Sequence, residues 1–366
     1  MKFSIQRETL LKPLQQIIGA VERRQVMPML GNVLLRSTER GMTMVATDLE
    51  VELMASVDVA IDAPGEATLP ARKLLDICRN LPEGANLAVQ VTGAKASISS
   101  MRSRFVLATL PAADFPVIED IHAEHRVTLA QRDLKRLTDR TAFAMAQQDV
   151  RYYLNGLLLH IADGSLRAVA TDGHRLATSK ADVEIQGDVT HQVIIPRKGV
   201  QELQRILVDS DQTIEIELSS NHIRAKVDEL RFTSKLIDGR FPDYDRVVPR
   251  DSDKTVFVNR EAFRSALVRT AILSSEKYRG VRLGLDGQAL KIQSHNPDQE
   301  EAEEELEVEY DGEPLEIGFN VNYLLDALAV IGSETVEIKL KDASSSALLK
   351  TSTSEDSLYV VMPMRL

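Results

Sequence analysis

Apolar and polar residues alternate in short runs along most of the chain, and each run breaks at a turn before the alternation resumes. The stretch MLGNVLLRSTERGMTMVATDLEVEL does this first. The pattern returns as YYLNGLLLHIADGSLRAVATDGHRLAT and, more loosely, as KYRGVRLGLDGQALKIQSHNPDQEEAEEELEV. A period of two interrupted by a turn predicts a hairpin with one buried face. Gly31, Gly156 and Gly280 head the three copies, about 125 residues apart.

Three further markers recur in the same order. Ile5 to Val21, Leu129 to Met145 and Val258 to Leu273 each give a strand end followed by apolar residues at helical spacing. LPARKLLDICRNL from Leu69, IPRKGVQELQRIL from Ile195 and GFNVNYLLDALAVI from Gly318 each predict a short amphipathic helix after a polar start. SRFVLATLPAADFP ending at Pro116, LRFTSKLIDGRFPDY with Pro242 and LYVVMPM with Pro363 each read as a strand leading into a turn. Four markers in one order define an internal repeat, which outranks any local motif in reading the fold. We expect three units, 1–125, 126–250 and 251–366. The polar joints HAEHRVT and VVPRDSDKTV are short, which implies packed neighbours rather than flexible tethers. Strands outnumber helices, so the expected class is α+β, with extensive antiparallel sheet and the helices segregated to one face of it.

Length alone, 366 residues, allows two or three domains, and the repeat selects three. With 44 basic and 55 acidic residues the net charge is −11, which argues against a wholly basic nucleic-acid binder but leaves room for a local basic face. The single cysteine, Cys78, excludes an intrachain disulfide framework and any multi-cysteine metal site. Aromatics at 4% and no Trp point to aliphatic cores. The opening MKFSIQRETLLKPLQQ lacks the apolar stretch of a secretory signal, and no apolar run is long enough to span a bilayer, so the expected location is cytoplasmic.

Candidate chemistry is sparse. Asp48 and Asp172 share an ATD motif that could begin a carboxylate or metal site. They fall in separate repeats, however, and the third copy has SHNP there, so a turn stabilised by Asp or Asn is the simpler expectation. His174 follows a glycine without a Ser, Cys or carboxylate constellation beside it, and His122 and His125 lie in a joint. Neither GxxxxGK[ST] nor a GxGxxG opening a helix occurs. The acidic run from Asp298 to Glu309 lacks the glycine and alternation of a calcium loop, and its tail EELEVEY reads as a solvated edge strand. No catalytic residue, metal ligand or cofactor is therefore expected. The basic segments VERRQVMP, QRDLKRLTDR and QQDVRYY, with Arg197 and Lys198, would converge on one positive face if the repeats place equivalent helices on one surface. The VVMPMRL segment combines methionines with Pro363, Arg365 and Leu366, a composition suited to an adaptable apolar pocket or to a plain strand.

Taken together, TDLEVEL, LPARKLLDICRNLP, ATLPAADFP, MAQQDVRYYLNG, VATDGHRLA, IPRKG, FTSKLIDGRFPDY, AILSSEKYRGVRL, NPDQEEAEEE, EIGFNVNYLLD and YVVMPMRL resemble the bacterial sliding-clamp family, the beta subunits of DNA polymerase III, from end to end. The resemblance implies a head-to-tail homodimer whose six similar domains close a ring on duplex DNA, with helices lining the hole and antiparallel sheets outside. It implies a processivity factor without catalysis of its own, acting in the cytoplasm at replication forks on the nucleoid. The implied partners are the replicative polymerase catalytic subunit, the clamp loader, and other DNA polymerases, mismatch-repair proteins and ligase, held through short peptides. A non-catalytic DNA-binding regulatory protein is the alternative, and it would need a base-reading element.

The same resemblance implies site residues. Arg24 and Gln148, with Arg197 and Lys198, would touch DNA. Peptides would bind at Leu154, Thr171, Gly173, His174, Arg175, Leu176, Pro242, Arg246, Val247, Ser346, Val360, Val361, Met362, Pro363, Met364, Arg365 and Leu366. At the ring interface a basic edge carrying Lys73, Arg102 and Arg104, with Phe105 and Leu107, would meet an acidic edge carrying Glu300, Glu301, Glu303 and Glu304, with Ile272 and Leu273 at the apolar centre. Glu22 and Arg23 depart from smaller residues in some relatives, and MASVDVAIDAP is variable in character.

Overall fold

A computed structural model describes residues 1–22, 27–118, 120–185, 189–353 and 356–365. Six α-helices occur among them: α1 Arg7–Ile17, α2 Ala71–Asn80, α3 Gln131–Asp139, α4 Arg197–Ile206, α5 Arg260–Thr270 and α6 Val321–Val330. They fall two to a repeat, each directly after a strand, as the sequence pattern predicts. The first is shorter than its pattern, since α1 ends at Ile17 and tightens into a 3-10 turn over Ile18–Ala20. Asn259 and Asn320 cap α5 and α6, their side-chain oxygens accepting from Ala262 N at 3.0 Å and Asn322 N at 2.9 Å.

The three hairpins are Asn32–Thr38 with Gly41–Thr47, Gly156–Ala162 with Ser165–Thr171, and Gly280–Asp286 with Ala289–His295. All are antiparallel; the third alternates with one buried face as expected, whereas the first two are buried on both faces at residues 33–35 and 157–159, where neighbouring elements cover the sheet on each side. The chain forms two compact units that do not follow the repeat boundaries: Met1–Arg132 with Lys198–Leu236, and Asp133–Arg197 with Ile237–Leu366. The reason lies in the strand pairing. Strand Val51–Val57 of the first repeat pairs with Leu230–Lys235 of the second, and Arg175–Asp182 of the second pairs with Ser357–Val361 of the third. Continuous sheet thus carries hydrogen bonds from one repeat into the next. In the first unit the joint is packed, as its short polar sequence implies: Ile118 N donates to Glu52 Oε2 at 2.8 Å and Glu124 N to the Leu218 carbonyl at 2.7 Å.

The cores are aliphatic. Helix α1 buries Leu10, Leu14 and Ile17 and packs on α2, which buries Leu74, Leu75 and Cys78. Burial pushes the Cys78 thiol up to about 11. Its thiolate fraction near neutral pH is then about 100-fold below that of an exposed cysteine. Timed iodoacetamide labelling followed by intact mass should show native protein reacting at least about 100-fold more slowly than unfolded chain. Equal rates would place Cys78 outside this core.

Candidate functional site

The second unit contains a candidate groove at the pairing of Arg175–Asp182 with Ser357–Val361, in which Arg175 lies opposite Val361 and Leu176 opposite Val360. The backbone adds two bonds beyond the ladder, from Met362 N to the His174 carbonyl at 2.9 Å and from Met364 N to the Gly318 carbonyl at 2.8 Å. These fix the VVMPM segment as a wall of the groove rather than a frayed end. Beneath it, Leu154, Leu176, Phe241, Tyr244, Leu348 and Val360 form one buried apolar cluster. Tyr244 belongs to the turn that bears Pro242, Arg246 and Val247. Its hydroxyl meets His160 Nδ1 at 2.6 Å, and burial keeps that imidazole below its ordinary pKa. Val247 and Met362 remain 41% and 44% exposed at the mouth, while Val361 is buried and Ser346 and Pro363 are half-buried. Arg246 is exposed and pairs with Asp243 at 2.8 Å.

The polar end of the groove is organised by Arg175. Its Nε donates to Asp172 at 3.1 Å, its Nη2 to the Phe143 carbonyl at 2.9 Å and its Nη1 to Asp326. The guanidinium also lies 4.6 Å from the centre of the Tyr323 ring. His174 also stacks with Tyr323, the ring centroids 6.5 Å apart at an interplanar angle of 18°. The turn that aims both residues is the ATD motif. Asp172 Oδ1 accepts from His174 N at 2.9 Å and Arg175 N at 3.0 Å, and Gly173 takes φ +89°, with Arg151 Nη1 only 3.0 Å from where a Cβ would stand. Thr171 Oγ1 donates to the Arg175 carbonyl at 2.6 Å. Asp48 makes the same turn in the first repeat, accepting from Glu50 N at 3.0 Å and Val51 N at 2.8 Å, and Asn296 in the third closes a turn one residue longer, accepting from Asp298 N and Glu300 N at 3.0 Å each. The carboxylates therefore serve as turn acceptors, as expected. A pocket of about 660 Å³ adjoins Met364 and Arg365 and includes Tyr278, Arg282 and His295.

Of the residues implied for peptide binding, all but Leu366, which lies outside the described residues, fall in this unit and most cluster at the groove. Sequence reasoning missed Arg151, Phe143, Tyr323 and Asp326, which hold or line the polar corner. Arg151 and Tyr323 have a local signal in the basic and aromatic character of QQDVRYY and NVNYLLD, whereas Phe143 and Asp326 have none.

The residues implied for DNA contact are differently placed. Arg24 lies outside the described residues. Gln148 is exposed at φ +54°, beside Asp149, whose carboxyl is held down at about 2 by hydrogen bonds from Arg151. Arg197 is partly buried and donates to the Met145 carbonyl at 2.6 Å and the Ala146 carbonyl at 3.3 Å, and burial lowers its pKa. Lys198 pairs with the nearly buried carboxylate of Asp48. Both cations therefore already have internal acceptors.

Two sheet edges carry opposite charge. In the first unit a five-stranded sheet ends on Ser103–Ala108, with Arg102 and Arg104 exposed, Phe105 and Leu107 half-buried, and Met101 80% exposed at the preceding turn. Lys73 is exposed on α2. In the second unit a four-stranded sheet ends on Glu301–Glu307, alternately exposed and half-buried; only the first half of EELEVEY belongs to this solvated edge, since Val308 and Tyr310 beyond it are buried. Glu303 meets Lys291 at 2.9 Å, Glu304 meets Arg269 at 2.6 Å, and Glu300 accepts from Asn296 at 2.6 Å. Hydrogen bonds from those cations hold the Glu303 and Glu304 carboxyls below their usual range. Ile272 is 74% exposed on the short helix Ala271–Leu273, with Leu273 half-buried beside it.

Comparison with known proteins matches three family models in chain order: the N-terminal domain of the DNA polymerase III beta subunit over residues 1–119, its central domain over 128–243 and its C-terminal domain over 245–365. The chain is 56% identical to the beta sliding clamp of Pseudomonas aeruginosa and 50% identical to that of Escherichia coli K12, each over the full length of both chains. It superposes on the crystal structure of the Pseudomonas aeruginosa beta subunit with a TM-score of 0.97 at 56% identity, and on Caulobacter crescentus pol III beta with 0.94 at 39%, covering all of both chains.

Proposed function

From the membership of this chain in the bacterial DNA polymerase III beta subunit family, whose fold of three tandem α+β domains it carries, we propose how its own residues perform that family's task. The protein is a non-catalytic processivity clamp: it encircles DNA and tethers the polymerase to it. It acts in the cytoplasm, at replication forks on the nucleoid. The end-to-end match, with all three domains in order, carries this conclusion. The domains meet near residues 125 and 250.

The tether is topological, so its DNA contacts need only be interchangeable phosphate contacts; strong base-specific contacts would arrest sliding. Arg24 and Gln148 supply them, and Arg197 and Lys198 add field more than direct bonds because each already has an acceptor. Ring closure pairs the edge at Arg102 and Arg104 of one copy with the edge at Glu300 to Glu304 of the next, head to tail, around Ile272 and Leu273. Edges of opposite charge on one chain fit a heterologous interface between copies. The groove at Leu176, Val360 and Met362 receives apolar anchors from short peptides of the polymerase, the clamp loader, other polymerases, mismatch-repair proteins and ligase, with His174, Arg175 and Arg246 orienting them. Its methionines adapt to different anchors.

A retention assay tests the tether. Protein loaded by the clamp loader and ATP onto a nicked circle should co-elute with that DNA in gel filtration, and cutting the circle should release it. Retention after linearisation would favour a DNA-binding regulator over a sliding ring.

A further inference from the structure

The chain contains two strand junctions built to one register, and the side chains that form their walls differ in character. In the second unit Leu176 lies between Thr171 and Val360, and Leu348 lies opposite Val360 on the far side. Leu358, two residues before Val360 on the same face, packs against this apolar cluster. In the first unit Glu52 lies between Thr47 and Thr233, Arg224 lies opposite Thr233, and Arg231 stands two residues before it. The backbones agree in detail: Met362 N donates to the His174 carbonyl at 2.9 Å, and Lys235 N donates to the Glu50 carbonyl at 2.8 Å. The floors agree too. Leu34, Val45 and Phe115 cluster in the first unit as Leu158, Val169 and Phe241 do in the second. The wall changes from Leu176, Val360, Leu348 and Leu358 to Glu52, Thr233, Arg224 and Arg231, and its rim changes from His174, Arg175 and Met362 to Glu50, Val51 and Lys235.

Those four polar groups lie side by side, although Glu52 Oε1 and Arg231 Nε make no hydrogen bond among the described residues. Glu52 is fully buried, its Oε2 accepting from Ile118 N at 2.8 Å and its Oε1 lying 3.6 Å from Arg231 Nη2. Arg224 Nε donates to Thr233 Oγ1 at 3.1 Å, and its Nη1 lies 3.7 Å from Asp120. The chain's own connector, through Ile118 and Asp120, is thereby fastened to the polar wall.

We infer that Glu52, with Arg224 and Arg231, is a specificity determinant that closes the first junction to apolar peptides and confines partners to the second. The inference rests on the peptide-groove reading of the second unit. An apolar anchor entering the first junction would displace the Ile118 N–H from Glu52 and bury ionised groups against hydrocarbon, and both changes oppose binding. The second junction asks for neither.

Calorimetric titration of the intact protein with a short synthetic peptide carrying leucine and phenylalanine anchors tests this. The unaltered chain should bind one peptide per chain. The combined variant Glu52→Leu, Arg224→Leu, Arg231→Leu, Thr233→Val should bind two. No binding to the unaltered chain would refute the groove reading itself, whereas a folded variant that still binds one peptide would overturn the present inference. Should that variant fail to fold, the unaltered protein decides. The same peptide with a photoreactive phenylalanine analogue should label only segments 171–176 and 346–364, and labelling of 47–54 or 224–235 would overturn the inference.

Discussion

Replacing Arg175 with Ala is expected to destabilise the second unit by about 2 kcal/mol and to weaken peptide binding at least about 10-fold. Only 13% of this side chain is exposed, and it satisfies three acceptors at once: Asp172, Asp326 and the Phe143 carbonyl. Truncation leaves all three without that donor and removes the cation from the Tyr323 ring. Asp326 can recover water because its side chain is 45% exposed, which is why the figure sits below that for a fully buried pair. The loss should appear as a fall of about 5 °C in the melting transition. Binding should fall through the corner formed by His174 and Tyr323, since the turn that aims His174 shares Asp172 with Arg175. Arg175→Lys separates charge from geometry. Lysine keeps the positive charge but cannot present a planar fork to three acceptors, so it should rescue little. Full rescue by lysine would show that charge alone is needed there and would remove the geometric argument.

The repeat was legible because it is written in local periodicity: strand alternation, a turn, then helical spacing, each within a short window. The ATD turns were legible for the same reason, since Asp48 and Asp172 bond backbone groups only two or three residues away. The acidic edge strand could be read from its alternation, although its ion pairs could not. Lys291 and Arg269 come from other elements, and they turn Glu303 and Glu304 from free acid into partly compensated charge. Arg197 and Lys198 read as part of a positive face, and their internal acceptors could not be read, because Met145, Ala146 and Asp48 are distant in sequence. The polar corner of the groove depends on Asp326 and Tyr323, about 150 residues from Arg175. Nothing local marks such partners. The contrast between Glu52 and Leu176 is an intermediate case: the repeat aligns the two positions, but only strand register reveals that Arg224, Arg231 and Thr233 complete the same surface.

Ile272→Ala with Leu273→Ala should convert the dimer to monomers. Ile272 is 74% exposed on the single chain beside an acidic edge, an exposure that a large aliphatic side chain relinquishes only against a partner. Fully burying an Ile or Leu side chain contributes about 1.5–3 kcal/mol, and the pair partly truncated to Ala should forfeit about 3 kcal/mol at one interface, or roughly 100-fold in its association constant. If the dimer closes head to tail as proposed, it has two such interfaces, so the loss enters twice and the dimerisation constant should fall by about 10,000-fold. The charged rims respond differently. Glu303 and Glu304 are already engaged by Lys291 and Arg269, so their replacement by Gln should shift dimerisation little and mainly change its salt dependence. Sedimentation velocity at micromolar concentration should therefore give a 40.7 kDa species for the double alanine variant and a species of twice that mass for the unaltered chain and for the glutamine variants. The variant should keep its circular dichroism spectrum, because Ile272 contributes little to the fold of the monomer. A dimer that persists in the alanine variant would relocate the apolar centre of the ring interface, whereas dissociation of the glutamine variants alone would make that interface electrostatic.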